Sequence, residues 1–206
     1  MIDFGVIAIV FGLIFVGELP DKTAIASLVL GARFPWRWVF AGVASAFLVH
    51  VVIAVTAGSL IRLLPHEVVE IVVAVLFLLG AVLIWREGSE SEEDREREES
   101  EDEAEAAEVP ATAGFAKVAS LAFGTIFVAE WGDLTQILTA NLAAKYHDPI
   151  DVGIGAVLAL WAVGLLAMLG GSTLLKVLPM KWICRVAAVI MLCLAVWTAL
   201  QVAGVV

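Results

Sequence analysis

An all-α integral membrane fold, with six transmembrane helices arranged as two inverted three-helix repeats, is what the sequence predicts. Three observations lead there. Of 206 residues, 62% are apolar, whereas soluble domains sit at roughly 45–50%. The apolar residues are gathered into runs long enough to cross roughly 30 Å of hydrocarbon at about 20 residues each. A stretch near the N-terminus recurs 112 residues later. Together with a mean hydropathy of +1.00, these features exclude a soluble globule, a coiled coil and a disordered chain.

The six segments fall near residues 4–31, 37–61, 67–86, 114–143, 152–175 and 182–203. The first follows Met1-Ile2-Asp3 without a basic n-region, so it is expected to stay as a span and not be cleaved as a signal peptide. Pro35, Pro65, Pro149 and Pro179 punctuate the short connections, where helices stop and start. Runs this apolar, without alternation, suit helices and not a β-barrel. Between the third and fourth segments, Glu87 to Glu108 holds 13 of the 22 acidic residues and two arginines, a net of −11. The rest of the chain carries +1. The organisation expected is therefore a first repeat over 1–86, an acidic linker over 87–112 that reads as a disordered loop, and a second repeat over 113–206. A basic nucleic-acid footprint is missing, which removes that class of partner.

Nine lysines and arginines, among them Arg33, Arg37, Arg86 and Lys117, fall on the side of the acidic linker, and two, Arg62 and Lys145, on the other. That asymmetry predicts a multi-pass protein of the cell membrane with the linker cytoplasmic and both termini external. Cys184 and Cys193, nine residues apart on one helix, point to opposite faces and read as packing residues.

The repeat decides most about function. Phe11–Ile25 lies on Phe123–Ile137 with 9 of 15 positions identical, including Glu18/Glu130, Asp21/Asp133 and Thr23/Thr135. The likeness continues at Gly58-Ser59 against Gly171-Ser172 and at Leu64-Pro65 against Leu178-Pro179. Three spans per copy is an odd number, so the copies insert with opposite orientation, the plan of many secondary transporters whose binding site lies near the bilayer midplane.

Glu18 sits about 14 residues, or roughly 21 Å, into its span, and Glu130 is equally deep. Each carboxylate left charged there costs at least ~2.5–3.5 kcal/mol, so Glu18, Asp21, Glu130 and Asp133 must be protonated, paired or bound to a cation. Glu and Asp at i, i+3 share a helix face, and Thr23, Thr135 and Gln136 add oxygens nearby. Pro20 frees the carbonyl of Val16, and Gly132 permits local unwinding. Such an all-oxygen set suits a hard divalent ion such as Ca²⁺ or Mn²⁺. A Glu18–Lys22 helix pair is the purely structural alternative, but Leu134 stands at the lysine position of the second copy. Four carboxylates and Lys22 sum to −3, so one divalent ion and one proton together bring the site to neutrality.

These residues resemble the Gdt-type manganese/calcium transporter family, whose signature is a duplicated E-x-G-D-(K/R)-(S/T) in the first and fourth of six spans. The first copy here reads Glu18-Leu19-Pro20-Asp21-Lys22-Thr23 and departs at Pro20. The second reads Glu130-Trp131-Gly132-Asp133-Leu134-Thr135-Gln136 and departs at Leu134. The resemblance implies cation/proton antiport across a lipid bilayer, with Mn²⁺ or Ca²⁺ as the transported ion, and it makes the carboxylates and hydroxyls of both copies cation ligands. No resident cofactor and no enzymatic activity are expected.

Other residues carry open alternatives. Gln136 reads as an amide-oxygen ligand or an interhelical hydrogen-bond donor, and His50 as a proton relay or a buried histidine bonded to a neighbouring helix. Asn141 and Ser45 read as interhelical hydrogen-bond formers, Trp36, Trp38, Trp85 and Trp182 as interface anchors, and Trp131 as a wall of the site. Two rival functions use some of the same residues. An intramembrane aspartyl protease would need the two aspartates, and a small-solute exporter of the amino-acid type would use the same three-plus-three plan.

Overall fold

The computed structural model describes residues 2–18, 22–61, 63–87, 89, 92–110, 112–146, 148–177 and 180–203. Those residues form α1 (Phe4–Glu18), α2 (Lys22–Arg33), α3 (Trp36–Ile61), α4 (His66–Glu87), α5 (Glu92–Ala107), α6 (Phe115–Ala129), α7 (Leu134–Tyr146), α8 (Pro149–Val177) and α9 (Met180–Val202), with no strand among them. Among the described residues, three helical stretches are long and apolar enough to cross a membrane, Trp36–Ile61, Val68–Arg86 and Pro149–Leu169. Shorter apolar helices cover Phe4–Glu18, Phe115–Ala129 and Ala188–Gln201. The expected segments 37–61, 67–86, 152–175 and 182–203 each correspond to one helix, α3, α4, α8 and α9.

The segment expected at 114–143 is not one continuous helix but is divided at its acidic motif into α6 and α7, while the segment expected at 4–31 is described as α1 and α2, with 19–21 between them outside the described residues. In the second copy the break spans Glu130–Asp133, and Gly132 holds φ +78°, a left-handed conformation that a glycine adopts without steric cost. The break therefore follows from local chemistry.

The linker also differs from the loop expected of it, because Glu92–Ala107 is helical. Its run of glutamates and alanines has high intrinsic helix propensity, and Glu93–Arg97 and Arg97–Glu101 are oppositely charged pairs at i, i+4. The C-terminal end of α5 is docked on the bundle. Ala106 and Val109 are buried, and an Arg33 guanidinium nitrogen donates to the carbonyls of Ala107 and Val109 at 3.4 and 3.2 Å. The Thr125 hydroxyl on α6 donates to Glu105 at 3.2 Å.

The helices pack in corresponding pairs. α3 lies against α6 and α7, while α8 lies against α1 and α2, and α4 packs on α9. Gly42 of α3 faces the Ala119 carbonyl and the Ala122 methyl of α6. Gly155 of α8 faces the Ile7 carbonyl and the Val10 side chain of α1. Ile7 and Val10 stand 112 positions before Ala119 and Ala122, so the two glycine contacts occupy equivalent places in the two halves. Backbone approaches this close are the means by which helices associate when no water is present to drive them together. The core joins Val10, Ile14, Val43, Phe47, Ala122, Ile126 and Ala156 in one cluster. The outward faces of the long helices carry Val52, Ile71, Val75, Leu158, Leu169 and Val189 exposed, a surface suited to hydrocarbon.

Several polar side chains inside the bundle bridge helices or bond back to their own helix. The Asn141 amide donates to the Val73 carbonyl of α4 at 3.1 Å, and the Trp161 indole donates to the Ala44 carbonyl of α3 at 3.1 Å. Ser45, expected to link helices, instead donates to the Ala41 and Gly42 carbonyls of its own helix. A short hydroxyl in a helix reaches the preceding turn more easily than a neighbouring helix.

A Cβ at position 42 runs into the α6 backbone, whereas one at Gly12 meets nothing within 4 Å. Gly42→Val is expected to destabilise the detergent-solubilised protein by about 1–3 kcal/mol or more. Gly12→Ala is expected to leave it unchanged or stabilise it by about 0.5–1 kcal/mol. Thermal unfolding of the two variants side by side checks this.

Candidate metal centre

The site is assembled at the ends of α1, α6 and α7. Glu18 is the last residue of α1, and Glu130 caps the C-terminus of α6 with φ −80° and ψ −3°. Both are buried, with 0% and 1% of their surface exposed. Asp133 stands before the first residue of α7, where its carboxylate accepts the Thr135 backbone N–H at 3.3 Å as an N-cap. Helix C-termini turn their carbonyls and the negative end of their dipole toward this point. Broken helices use that arrangement to favour a cation in a membrane.

Glu18, Glu130 and Asp133 bring one carboxylate oxygen each within 4.8 Å of one another. Two oxygens on opposite sides of a Ca²⁺ ion, at roughly 2.4 Å each, are about 4.8 Å apart. The cluster thus has the dimensions of a hard-cation site. Ionised carboxylates at this separation repel by about 3 kcal/mol per pair at an effective dielectric of ~20, a cost that nearby positive charge or protons offset.

The two copies orient their glutamates in the same way. The Thr23 hydroxyl donates to Glu18 Oε1 at 2.9 Å, and the Thr135 hydroxyl donates to Glu130 Oε2 at 3.3 Å. Thr23 and Thr135 are buried beside their glutamates and aim them. Phenylalanine pairs stack below each motif, Phe11 on Phe15 at 5.5 Å and Phe123 on Phe127 at 5.3 Å, both at 12°. Asp21, the remaining sequence-predicted ligand, lies outside the described residues, as does the Lys22 side chain.

Gln136 takes the interhelical role. Its Oε1 accepts the Gly132 N–H at 2.9 Å, and its amide nitrogen lies 2.9 Å from His50 Nδ1 on α3. His50 Nε2 in turn lies 3.0 Å from the Phe127 carbonyl. His50 is thus bonded across to α6 and α7, the helix-bonded alternative of its two readings. Trp131 is 63% exposed and packs on Phe127 at 5.3 Å and edge-on to His50 at 6.0 Å, so it flanks the turn on its outer side. The Phe127 carbonyl is the one participant that sequence reasoning missed. Its signal was the helix break itself, which removes the amide that normally bonds a carbonyl four residues back.

The family model for the divalent cation/proton antiporter GDT1 matches residues 6–92 and 118–204. The chain belongs to the GDT1 family. The two matched stretches of the GDT1 model begin 112 residues apart, the offset of the sequence repeat. Among GDT1 relatives, a GDT1-like protein of Synechocystis sp. is 32% identical over 168 residues, covering 78% of this chain and 80% of its own. GDT1-like protein 5 of Arabidopsis thaliana is 29% identical over 183 residues, covering 78% and 80%. The chloroplastic protein PAM71 of Arabidopsis thaliana is 32% identical over 208 residues, covering 93% of this chain and 56% of PAM71. No solved structure matches the chain. GDT1 membership identifies a membrane transporter of divalent cations and not an enzyme, which removes the protease reading.

Gly132→Ala places a Cβ on a left-handed residue and is expected to cost about 1–2 kcal/mol. Gly132→Asn is expected to cost less, since asparagine tolerates this conformation. The unfolding midpoints of the two variants, compared in detergent, check the order.

Proposed function

We propose that this chain exports Mn²⁺ or Ca²⁺ from the cytosol in exchange for protons, through one carboxylate site shared by two inverted three-helix repeats. The observation that carries the proposal is the approach of Glu18 to Glu130 and Asp133 within 4.8 Å. That residues from motifs 112 positions apart meet at one point supports a single site served by both copies. The equivalent glycine contacts of α3 on α6 and of α8 on α1 support a pseudo-two-fold relation between the halves. In this reading residues 1–86 and 113–206 form the repeats, the linker over 87–112 is cytoplasmic, and both termini lie outside the cell membrane.

Glu18, Asp21, Glu130 and Asp133 bind the ion in this scheme, with Thr23 and Thr135 holding the glutamates in place. The cation neutralises carboxylates that are costly to leave charged in apolar surroundings, and protons are the alternative neutralising charge. Metal and protons therefore compete for the same oxygens. When the site opens to the acidic or proton-rich side, protons displace the ion. When it opens to the cytosol, a divalent ion displaces the protons. Each half-cycle leaves the site close to neutral, and a nearly neutral site crosses between its two accessible states at far lower cost than an uncompensated one. Six-coordinate Mn²⁺ and larger Ca²⁺ both accept such oxygens.

Reconstituted in proteoliposomes with an internal pH dye, the protein is expected to move protons when Mn²⁺ or Ca²⁺ is added outside. Glu130→Gln keeps the shape of the side chain and removes its charge, so it is expected to abolish that response in a protein that still folds. Metal uptake without proton movement would overturn the exchange. A Glu130→Gln protein with unchanged flux would overturn the site.

A further inference from the structure

The two half-sites share their glutamate and threonine geometry, and among the described residues the second has a side-chain bridge across the bundle, from His50 to Gln136. Position 24, equivalent to Gln136, is alanine, and position 163, equivalent to His50 in the offset that pairs Gly42 with Gly155, is valine.

The bonding of that bridge is fixed by elimination. The Trp131 amide bonds the Val128 carbonyl three residues back, which leaves the Phe127 carbonyl without its usual helical donor. A carbonyl only accepts, so the His50 Nε2 that lies 3.0 Å from it carries the hydrogen. The Gly132 N–H only donates, so the Gln136 oxygen faces it and the Gln136 NH₂ faces His50. Nδ1 of His50 then accepts from that NH₂. Every polar atom in the chain from Phe127 O through His50 and Gln136 to Gly132 N–H has the role its chemistry demands. His50 is 3% exposed, so water does not compete for these bonds.

We propose that His50 is a positioning residue: through the Phe127 carbonyl on one side and Gln136 on the other, it clamps the Glu130–Asp133 turn against α3. This rests on the reading of Glu130 and Asp133 as cation ligands. His50 touches neither carboxylate in the bonds described. It acts by fixing where the turn places them, as the outer partners of a metal site orient its ligands.

The test uses full-length protein in proteoliposomes and hydrogen exchange of the peptide covering residues 126–138. His50→Leu removes donor and acceptor together, whereas His50→Gln keeps an amide donor and a carbonyl acceptor at similar reach and cannot titrate. His50→Leu is expected to speed exchange at Gly132 and to raise the KM for Mn²⁺ by about ten- to hundredfold, with a smaller change in kcat. His50→Gln is expected to restore most of both. Gln136→Leu is expected to reproduce the His50→Leu effect, and the double variant to add little to either. Unchanged exchange in His50→Leu would overturn the clamp. Faster exchange with an unaltered KM would overturn its role in positioning, as would a His50→Gln protein as impaired as His50→Leu. If the unaltered protein moved no protons on addition of Mn²⁺, the exchange proposed above would fall, while hydrogen exchange would still decide the clamp.

Discussion

Three carboxylates, of Glu18, Glu130 and Asp133, are held within 4.8 Å of one another among apolar helices, at a point where the backbone of the second motif leaves the helix. A straight helix passing through the region keeps its carbonyls bonded to its own amides and presents side chains at fixed angles. Breaking it after Ala129 lets Glu130 close one helix, Asp133 open the next, and both carboxylates turn to the same point. The rest of the bundle follows from holding these ends together. α3 crosses against α6 and α7, and α8 against α1 and α2, through glycines that let backbones approach closely enough to seal the centre. The threonines of both copies use their hydroxyls on the glutamates and so remove freedom that a flexible carboxylate otherwise keeps.

Much of this was legible in the sequence, and the legible part was what periodicity and duplication encode. Apolar length placed α3, α4, α8 and α9 closely, because crossing hydrocarbon sets a minimum length that composition reveals. The duplicated motif pointed to Glu18, Glu130 and Asp133, since a carboxylate in an apolar run is costly enough to need a reason. Pro20 and Gly132 announced that the helices containing them could unwind. What the chain does not spell out is whether that freedom is used, and the residues from 4 to 31 and from 114 to 143 read as two spans until the break at Gly132 is seen in space.

The parts that escaped the sequence are those decided by distant partners. Ser45 and Asn141 have similar polar character in similar apolar surroundings, yet one bonds its own helix and the other crosses to α4. Gln136 offered two roles, and the choice between them depended on a histidine 86 positions away. The linker misled in another manner. Its charge density suggests a solvated coil, but a glutamate-rich segment with interspersed alanines has enough helix propensity to fold where a neighbouring surface receives one edge of it. Ala106 and Val109 are that edge, too few among the acids to stand out as an amphipathic stripe.

The docking of α5 has a consequence for the electric field of the molecule. A loose loop carrying so many acids would spread its charge over all the positions it samples. Anchored by Arg33 and by Thr125, the segment from Glu101 to Glu108 instead holds its carboxylates at one place on the bundle. At physiological salt that field reaches about 8 Å before it is screened, enough to enrich small cations at the end of the molecule where α2 finishes. The chain thereby carries a fixed counter-ion atmosphere beside its own helices, and the strength of that atmosphere follows the ionic strength of whichever compartment bathes it.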